Sequence, residues 1–291
     1  MLGKVRFQRN NGLTKLVSGI SFFLWLVPFS LIPFNAKSQG NLLLTPKRIV
    51  FEGTKKSDEL NLVNTGRDTA RYVISFVQIR MKEDGSFETI IQPDSAMFFA
   101  DKNLRFYPRS VILAPNEAQT VKVQVTKKND LGPGEYRSHL YFRSVPPSAP
   151  LGDVDLQNDT TGISVRITPV FGFSIPVIIR IGENASSANL SKIHIDIEKD
   201  KLTYLNLCIG RTGNMSVYGD IYVDHTSETG NVTRVGMIKG LAVYTPNTNR
   251  YVRLALNNGL GVDYHSGKLH VTYSYPSGRI QRLAQEEISI N

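Results

Sequence analysis

The chain has 291 residues, room for two domains of ordinary size, and its single cysteine, Cys208, excludes an internal disulfide, so packed cores must hold it together. The formal charge of +9 is concentrated at the start: residues 1–38 hold five Lys or Arg and no acid, leaving 29 basic against 25 acidic residues. A surplus of that size, with no block of five or six like charges, argues against a nucleic-acid partner.

The first 38 residues read as an address rather than as part of the fold. Lys4, Arg6, Arg9 and Lys15 form a basic start, an apolar run follows from Leu16 to Phe34, and Asn35-Ala36-Lys37-Ser38 supplies small residues at Ala36 and Ser38. That is the order of a secretory signal peptide cleaved after Ser38. Pro28 and Pro33 break the run short of the roughly 20 apolar residues a membrane span needs. No later stretch is long and apolar enough to span, so the mature chain is expected outside the cytoplasm without membrane insertion.

From Asn41 onward almost every signal is a strand. Leu42 to Gly53 reads as a strand pair broken at Pro46, and Glu59 to Asn64 ends in a turn at Asn64-Thr65-Gly66. Arg71 to Met81 is a long strand, Glu83-Asp84-Gly85 a hairpin signal, and Leu104 to Leu113 another strand before a turn at Ala114-Pro115-Asn116-Glu117. Gln119 to Val125 alternates cleanly, and Glu135 to Val145 follows the turn Leu131-Gly132-Pro133-Gly134. Tyr136, two residues past that turn, stands where a tyrosine corner would tie a strand back to the preceding corner; a plain half-buried Tyr fits equally well. No window keeps a 3.6-residue period for ten residues, and short strands with frequent turns indicate a β-sandwich.

Residues 146–162 are polar, turn-rich and aperiodic, the signature of a mobile loop. Asp153, Asp155 and Asp159 do not form a calcium loop, because the pattern's central Gly and closing Glu are missing. Ile163 to Arg180 follows, with every odd position through Ile179 apolar and mostly small or polar residues between them up to Pro176. That is a one-faced strand about twice the usual length. Pro169 and Pro176 cannot donate ladder hydrogen bonds, which places it at an edge or on bulges. It is either a long core strand running into a linker or an edge strand that offers its greasy face to a partner.

Gly182 to Asn189 reads as a hinge. Strand signals resume over 192–198, 202–209, 215–224, 234–244, 251–256 and 267–275, a second, smaller sandwich. The domain plan is therefore 1–38 signal, 39–180 first sandwich, 181–291 second sandwich. Cys208, inside the apolar run 205–209, reads as a small buried residue rather than a reactive thiol. His139, His194, His225, His265 and His270 are scattered and none neighbours a Cys, so no metal site is expected. Asp224-His225 near Ser227 could seed a triad only if the fold assembled it. No nucleotide, hydrolase or metalloprotease motif occurs, and neither an enzyme nor a cofactor is expected.

Taken in order, several segments resemble the periplasmic pilus, or fimbrial, chaperones of the PapD-like family. Arg48-Ile49-Val50-Phe51-Glu52-Gly53 is similar to that family's first strand. Tyr107-Pro108-Arg109 with Leu113 to Val123, Glu135 to Phe142 with Val145-Pro146-Pro147, Ile175 to Arg180, and Arg211 to Gly219 are similar to later blocks. The resemblance implies two Ig-like β-sandwich domains in tandem. It also implies a chaperone that lends a strand to pilin subunits lacking their last one, and that delivers them to an outer-membrane usher. The donated side chains would be Val165, Ile167, Phe171 and Phe173. Arg48 would grip the subunit's terminal carboxylate, while the family's second anchor, a Lys, falls at Pro176, where Arg166 or another base would have to substitute. Arg180 would fix the angle between domains. Its usual acidic partner aligns with Arg137, and Glu135 is the nearest acid. Self-association through the exposed edge would hide it when no subunit is bound. An Ig-type surface or adhesion protein that binds no pilin, and an esterase or glycan-binding module on a sandwich, are the alternatives.

Overall fold

Alternation written into the sequence becomes two pairs of facing sheets. The computed structural model describes residues 42–93, 95–146, 170–198, 202–276 and 281–290. The expected signal peptide, the acidic residues of the 146–162 loop, and Val165, Arg166 and Ile167 lie outside the described residues.

In chain order the first half contributes β1 (Leu42–Thr45), β2 (Ile49–Phe51), β3 (Ser57–Asn64), β4 (Ala70–Val77), β5 (Ile79–Met81), β6 (Phe87–Thr89), β7 (Leu104–Tyr107), β8 (Ser110–Leu113), β9 (Ala118–Val125), β10 (Gly134–Val145) and β11 (Gly172–Ile181). One sheet runs β1-β3-β9-β7 and the other β2-β11-β10-β4-β8. Val121, Val123 and Val125 of β9 point inward while Lys122 and Gln124 stay exposed, the period-two pattern of a strand with one wet face. Leu60, Leu62, Ile49, Phe51, Tyr72, Leu140, Phe142, Val177 and Ile179 meet them in one core. Burying each such side chain is worth about 1.5–3 kcal/mol relative to leaving it in water.

Proline and asparagine place the crossings between sheets. The cis peptides at Thr45-Pro46 and Tyr107-Pro108 lie where the chain leaves one sheet for the other, between β1 and β2 and between β7 and β8. The single strand expected over Leu104–Leu113 is thus two strands in different sheets, and Arg71–Met81 likewise breaks after Val77. Buried Asn64 holds the turn expected after β3: its Nδ2 donates to the carbonyls of Asp68 (2.8 Å) and Leu113 (3.0 Å), and its Oδ1 accepts from Gly66 N (2.9 Å).

The second half contributes β12 (Ser187–Ile197), β13 (Thr203–Thr212), β14 (Val217–Thr226), β15 (Val232–Val243), β16 (Asn249–Ala255), β17 (Gly267–Ser274) and β18 (Arg282–Ile290). Sheets β12-β13-β16 and β15-β14-β17-β18 enclose Leu205, Leu207, Ile209, Ile221, Val223, Val271 and Tyr273. Cys208 is buried, as read from its apolar run. The expected hinge is shorter than its composition suggested, because β12 already starts at Ser187. β18 was not foreseen: Gln285-Glu286-Glu287 breaks its apolar pattern, and it survives as a half-wet edge strand because β17 pairs with it throughout. The all-β, two-sandwich architecture expected from the sequence holds.

The two cores share residues. Met81 (1% exposed) and Ile178 (0%) come from the first half yet pack in the second core. The β5–β6 hairpin reaches across: Asn247 Nδ2 donates to Met81 O (2.7 Å), and Tyr251 N donates to Glu83 O (2.7 Å). At its tip, Gly85 has φ +82° and a Cβ there would meet the Arg250 guanidinium at 2.7 Å, so this position requires glycine. No helix among the described residues is long and apolar enough to cross a membrane.

Candidate functional site

The site grows from the face of the β2-β11-β10 sheet that does not line the first core. Ile49, Phe51, Val177, Ile179, Leu140 and Phe142 point into that core, so their neighbours in sequence point the other way, toward the second sandwich. Strand register sorts those neighbours into rows. Arg180 pairs with Glu135, Ile178 with Arg137 and Val50, and Pro176 with His139. Arg48, one residue before Ile49, comes level with Pro176.

Arg180 bonds to residues of both sandwiches. Its Nε donates to Glu135 Oε2 (3.1 Å) and its Nη2 to Ser216 O (2.7 Å) and Ser216 Oγ (3.2 Å), while Nη1 lies 3.9 Å from the exposed Glu52 carboxylate. The same Glu135 oxygen accepts from Ser216 N (2.9 Å) and Ser216 Oγ (2.7 Å), so one buried carboxylate joins both sandwiches. The nearest acid in sequence is thus the partner of Arg180.

Arg48 lies half-buried at the same joint. Its guanidinium carbon sits 4.3 Å above the Tyr218 ring and 6.0 Å from the Tyr244 ring, a cation–π arrangement that leaves the planar fork free, and its Nε has no hydrogen-bond partner. Burial pulls its pKa below the ordinary arginine value, against which the nearby Tyr244 pulls it up. Beside it opens a cleft of about 220 Å³, lined by Arg48, Glu52, Arg180, Ser216, Tyr218 and Tyr275 among others. Two guanidiniums beside an open cleft suit a carboxylate, which an arginine fork can take through two parallel bonds. Pro176, standing where the resemblance would put a lysine, contributes neither charge nor donor.

Arg137 and His139 complete the face and were not singled out as ligands by the sequence. Both are 3% exposed. The Arg137 guanidinium lies 4.2 Å from the Tyr244 ring centroid, and its Nε and Nη1 have no partner. His139 stacks edge-on against Phe87 at 6.2 Å; burial, with the Arg137 charge, pushes its pKa down to about 3. The signal for these positions was the alternation of β10 itself: the polar side chains of Glu135, Arg137 and His139 recur at every second position of a buried strand, which demands a second buried face.

The greasy face of β11 fades out of its own core toward the N-terminal end. Val177 is fully buried and Ile175 is 4% exposed; Phe173 is half-buried against the rim of the first core, and Phe171 is 45% exposed. Of the four expected donor side chains, Phe171 is thus nearly half exposed and Phe173 is partly buried at the rim of the first core. The flanks differ in the same way. β10 pairs with β11 from Gly172 to Ile181, but β2 covers only Val177–Ile179 on the other side. Among the described residues no strand pairs with the outer flank of Gly172–Pro176.

Elsewhere, the geometry is structural. Tyr136 Oη donates to Gly132 O (3.2 Å), the tie of a tyrosine corner. Among the described residues no group of three or more His, Cys, Asp or Glu is placed to hold a metal ion. Asp224 is held by Arg234, and His225 Nε2 lies 2.9 Å from Ser266 O, so the triad raised by the sequence is not assembled.

No protein-family model matches the chain, and no curated protein does. Among solved structures, the chain is similar to the YadV chaperone (13% identity, 86% of this chain and 100% of that one, TM-score 0.41). It is similar also to the class 5 fimbriae chaperone CfaA (17%, 86% and 99%, 0.39) and to the Pseudomonas aeruginosa CupB2 chaperone (12%, 86% and 100%, 0.40).

Proposed function

We propose that this protein is a periplasmic chaperone for strand-deficient pilus subunits, to which it lends the apolar face of residues 165–173 before delivery to an outer-membrane usher. The observation that carries this reading is the two-sided opening at the start of β11. Its inward face outruns its own core between Ile175 and Phe171, while its outer flank carries no partner strand over Gly172–Pro176 among the described residues. An edge that is both apolar and unpaired is an aggregation hazard in a protein working alone, and a ready template for β-augmentation in one that binds an incomplete sheet. Main-chain hydrogen bonds would give affinity, and Val165, Ile167 and Phe171 would fill the subunit's groove. Arg48, in the cleft and level with Pro176, would hold the subunit's terminal carboxylate and set the register. Pairing of two free chaperones through the same edge would compete with capture.

Periplasmic pull-down with identification of the retained protein tests this reading. The wild type should retain a subunit lacking one strand of its sandwich. Ile167→Asp and Phe171→Asp should each lose it while keeping the far-UV spectrum of the wild type. Retention by both variants, or fractionation of the wild type with the outer membrane and no subunit bound, overturns it.

A further inference from the structure

We infer that Ser144 and Tyr141 of β10 are positioning residues that hold Phe171 and Gly172 extended and in phase with the rest of β11, so that the lending end of the strand is ready before a subunit arrives. The inference rests on the strand-lending reading and names the residues that prepare the strand for it.

The pairing of β10 with β11 starts at Gly172, opposite Arg143. Phe171, one residue earlier, is nevertheless held. Its carbonyl accepts from Ser144 N (2.9 Å), and its N–H donates to Ser144 Oγ (3.1 Å) rather than to a backbone carbonyl. A side-chain hydroxyl therefore makes the last bond where the two strands part. Ser144 is 9% exposed, and its neighbours on that face of β10, Leu140 and Phe142, are core residues. A strand position of that kind suits valine or isoleucine, and a buried hydroxyl needs a partner. The Phe171 N–H is that partner.

An aromatic ring holds the opposite face. Tyr141 pairs with Ser174 and leans back over Gly172, where a Cβ would fall within the Tyr141 ring. The ring occupies the space of a side chain, so only glycine fits beneath it. Glycine is also the loosest hinge a backbone offers. Left to itself, Phe171 would pivot about Gly172, and its side chain would lose the inward direction shared by Phe173 and Ile175. The two bonds to Ser144 stop that pivot. Ring on one face and hydroxyl on the other thus clamp the start of a strand whose outer flank has no partner over Gly172–Pro176 among the described residues. Fixing one residue's backbone is worth roughly five- to thirtyfold in an equilibrium, and a subunit that docks on an end already extended avoids that loss.

The probe is the strand-deficient subunit retained in the wild-type pull-down, unfolded in urea and diluted into each full-length variant, with capture followed over time on native gels. Ser144→Ala should capture about five- to tenfold more slowly, with a melting temperature within about 2 °C of the wild type. Ser144→Thr restores the hydroxyl and should restore the rate. Tyr141→Phe keeps the ring and should capture as the wild type does, whereas Tyr141→Ala frees Gly172 and should slow capture by a similar factor. In the free protein, the Phe171 amide of Ser144→Ala should exchange its hydrogen about tenfold faster than in the wild type, with the Val177 amide unchanged. Ser144→Val serves if the Ala variant does not fold. Capture at the wild-type rate by either folded variant without the hydroxyl overturns the inference, as does slow capture that Ser144→Thr fails to restore. A wild type that retains no subunit overturns strand lending and this inference with it. A wild type that retains one, while Ser144→Ala captures equally fast, overturns this inference alone.

Discussion

Glu135 and Arg180 face each other across β10 and β11, and the carboxylate oxygen that takes Arg180 Nε at 3.1 Å also takes the backbone N–H of Ser216 at 2.9 Å, in the other sandwich. One atom of the first half thus receives donors from both halves. The Glu135 side chain is fully buried and that of Arg180 is 12% exposed, so water cannot replace what either would lose.

Removing the carboxylate should therefore cost more than an exposed pair would. Glu135→Ala leaves a buried guanidinium and the Ser216 N–H without an acceptor, and should destabilise by about 3–5 kcal/mol in urea unfolding. Glu135→Gln keeps an acceptor and should cost roughly half as much. If both variants unfold at the wild-type midpoint, the pair does not hold the joint.

The joint was only partly legible beforehand. Arg48 and Arg180 were found because each sits in a block with a resemblance, and the sheets were found because β3, β9 and β10 alternate plainly. Arg137, Tyr218 and Tyr244 were not assigned to the site. Their roles arise from which residues of two distant strands meet across an interface, and period-two patterning reports only that a face is buried. β18 was missed for a related reason: Arg282 and the Gln285-Glu286-Glu287 run are tolerable on an edge that one neighbour covers, so its pattern carries little signal. The split of Leu104–Leu113 into two sheets is likewise a matter of topology, with Pro108 as its local mark.

Acid should loosen this protein through His139. Its pKa is pushed from 6.5 down to about 3 by burial first and by the Arg137 charge second. Between those two values the unfolded chain binds a proton that the native chain refuses, so stability falls as pH drops through that window and is fully present above it. Each tenfold difference in proton affinity between the two states is worth about 1.4 kcal/mol, so the loss by pH 3 should reach several kcal/mol. His139→Leu should flatten that part of the stability profile in urea titrations at successive pH values. A wild-type profile with the same slope as the variant would mean His139 ionises freely in the native state.

Tyr136→Phe isolates the corner. The change removes the Oη bond to Gly132 O and keeps the ring packed against Phe98 at 5.2 Å. Because Tyr136 is half-buried, the freed carbonyl can find water, and the cost should be about 1 kcal/mol. A loss above about 3 kcal/mol would mean the hydroxyl has a further buried partner.

The graded face of β11 makes the sharpest contrast, because one substitution applied along it should move from a folding defect to a binding defect. Ile175, 4% exposed, packs in the first core, and an unpaired aspartate there should cost more than about 4 kcal/mol and leave little folded protein. At Phe171, 45% exposed, the same change should fall within about 0.5 kcal/mol of the wild type in thermal or urea unfolding. Phe173, at the rim, should lie between. Phe171, nearly half exposed, gives its own core less than Ile175 does and has apolar surface left for a partner. Equal destabilisation by Asp at 171 and 175 would place Phe171 inside its own core and remove the free apolar face on which strand lending depends.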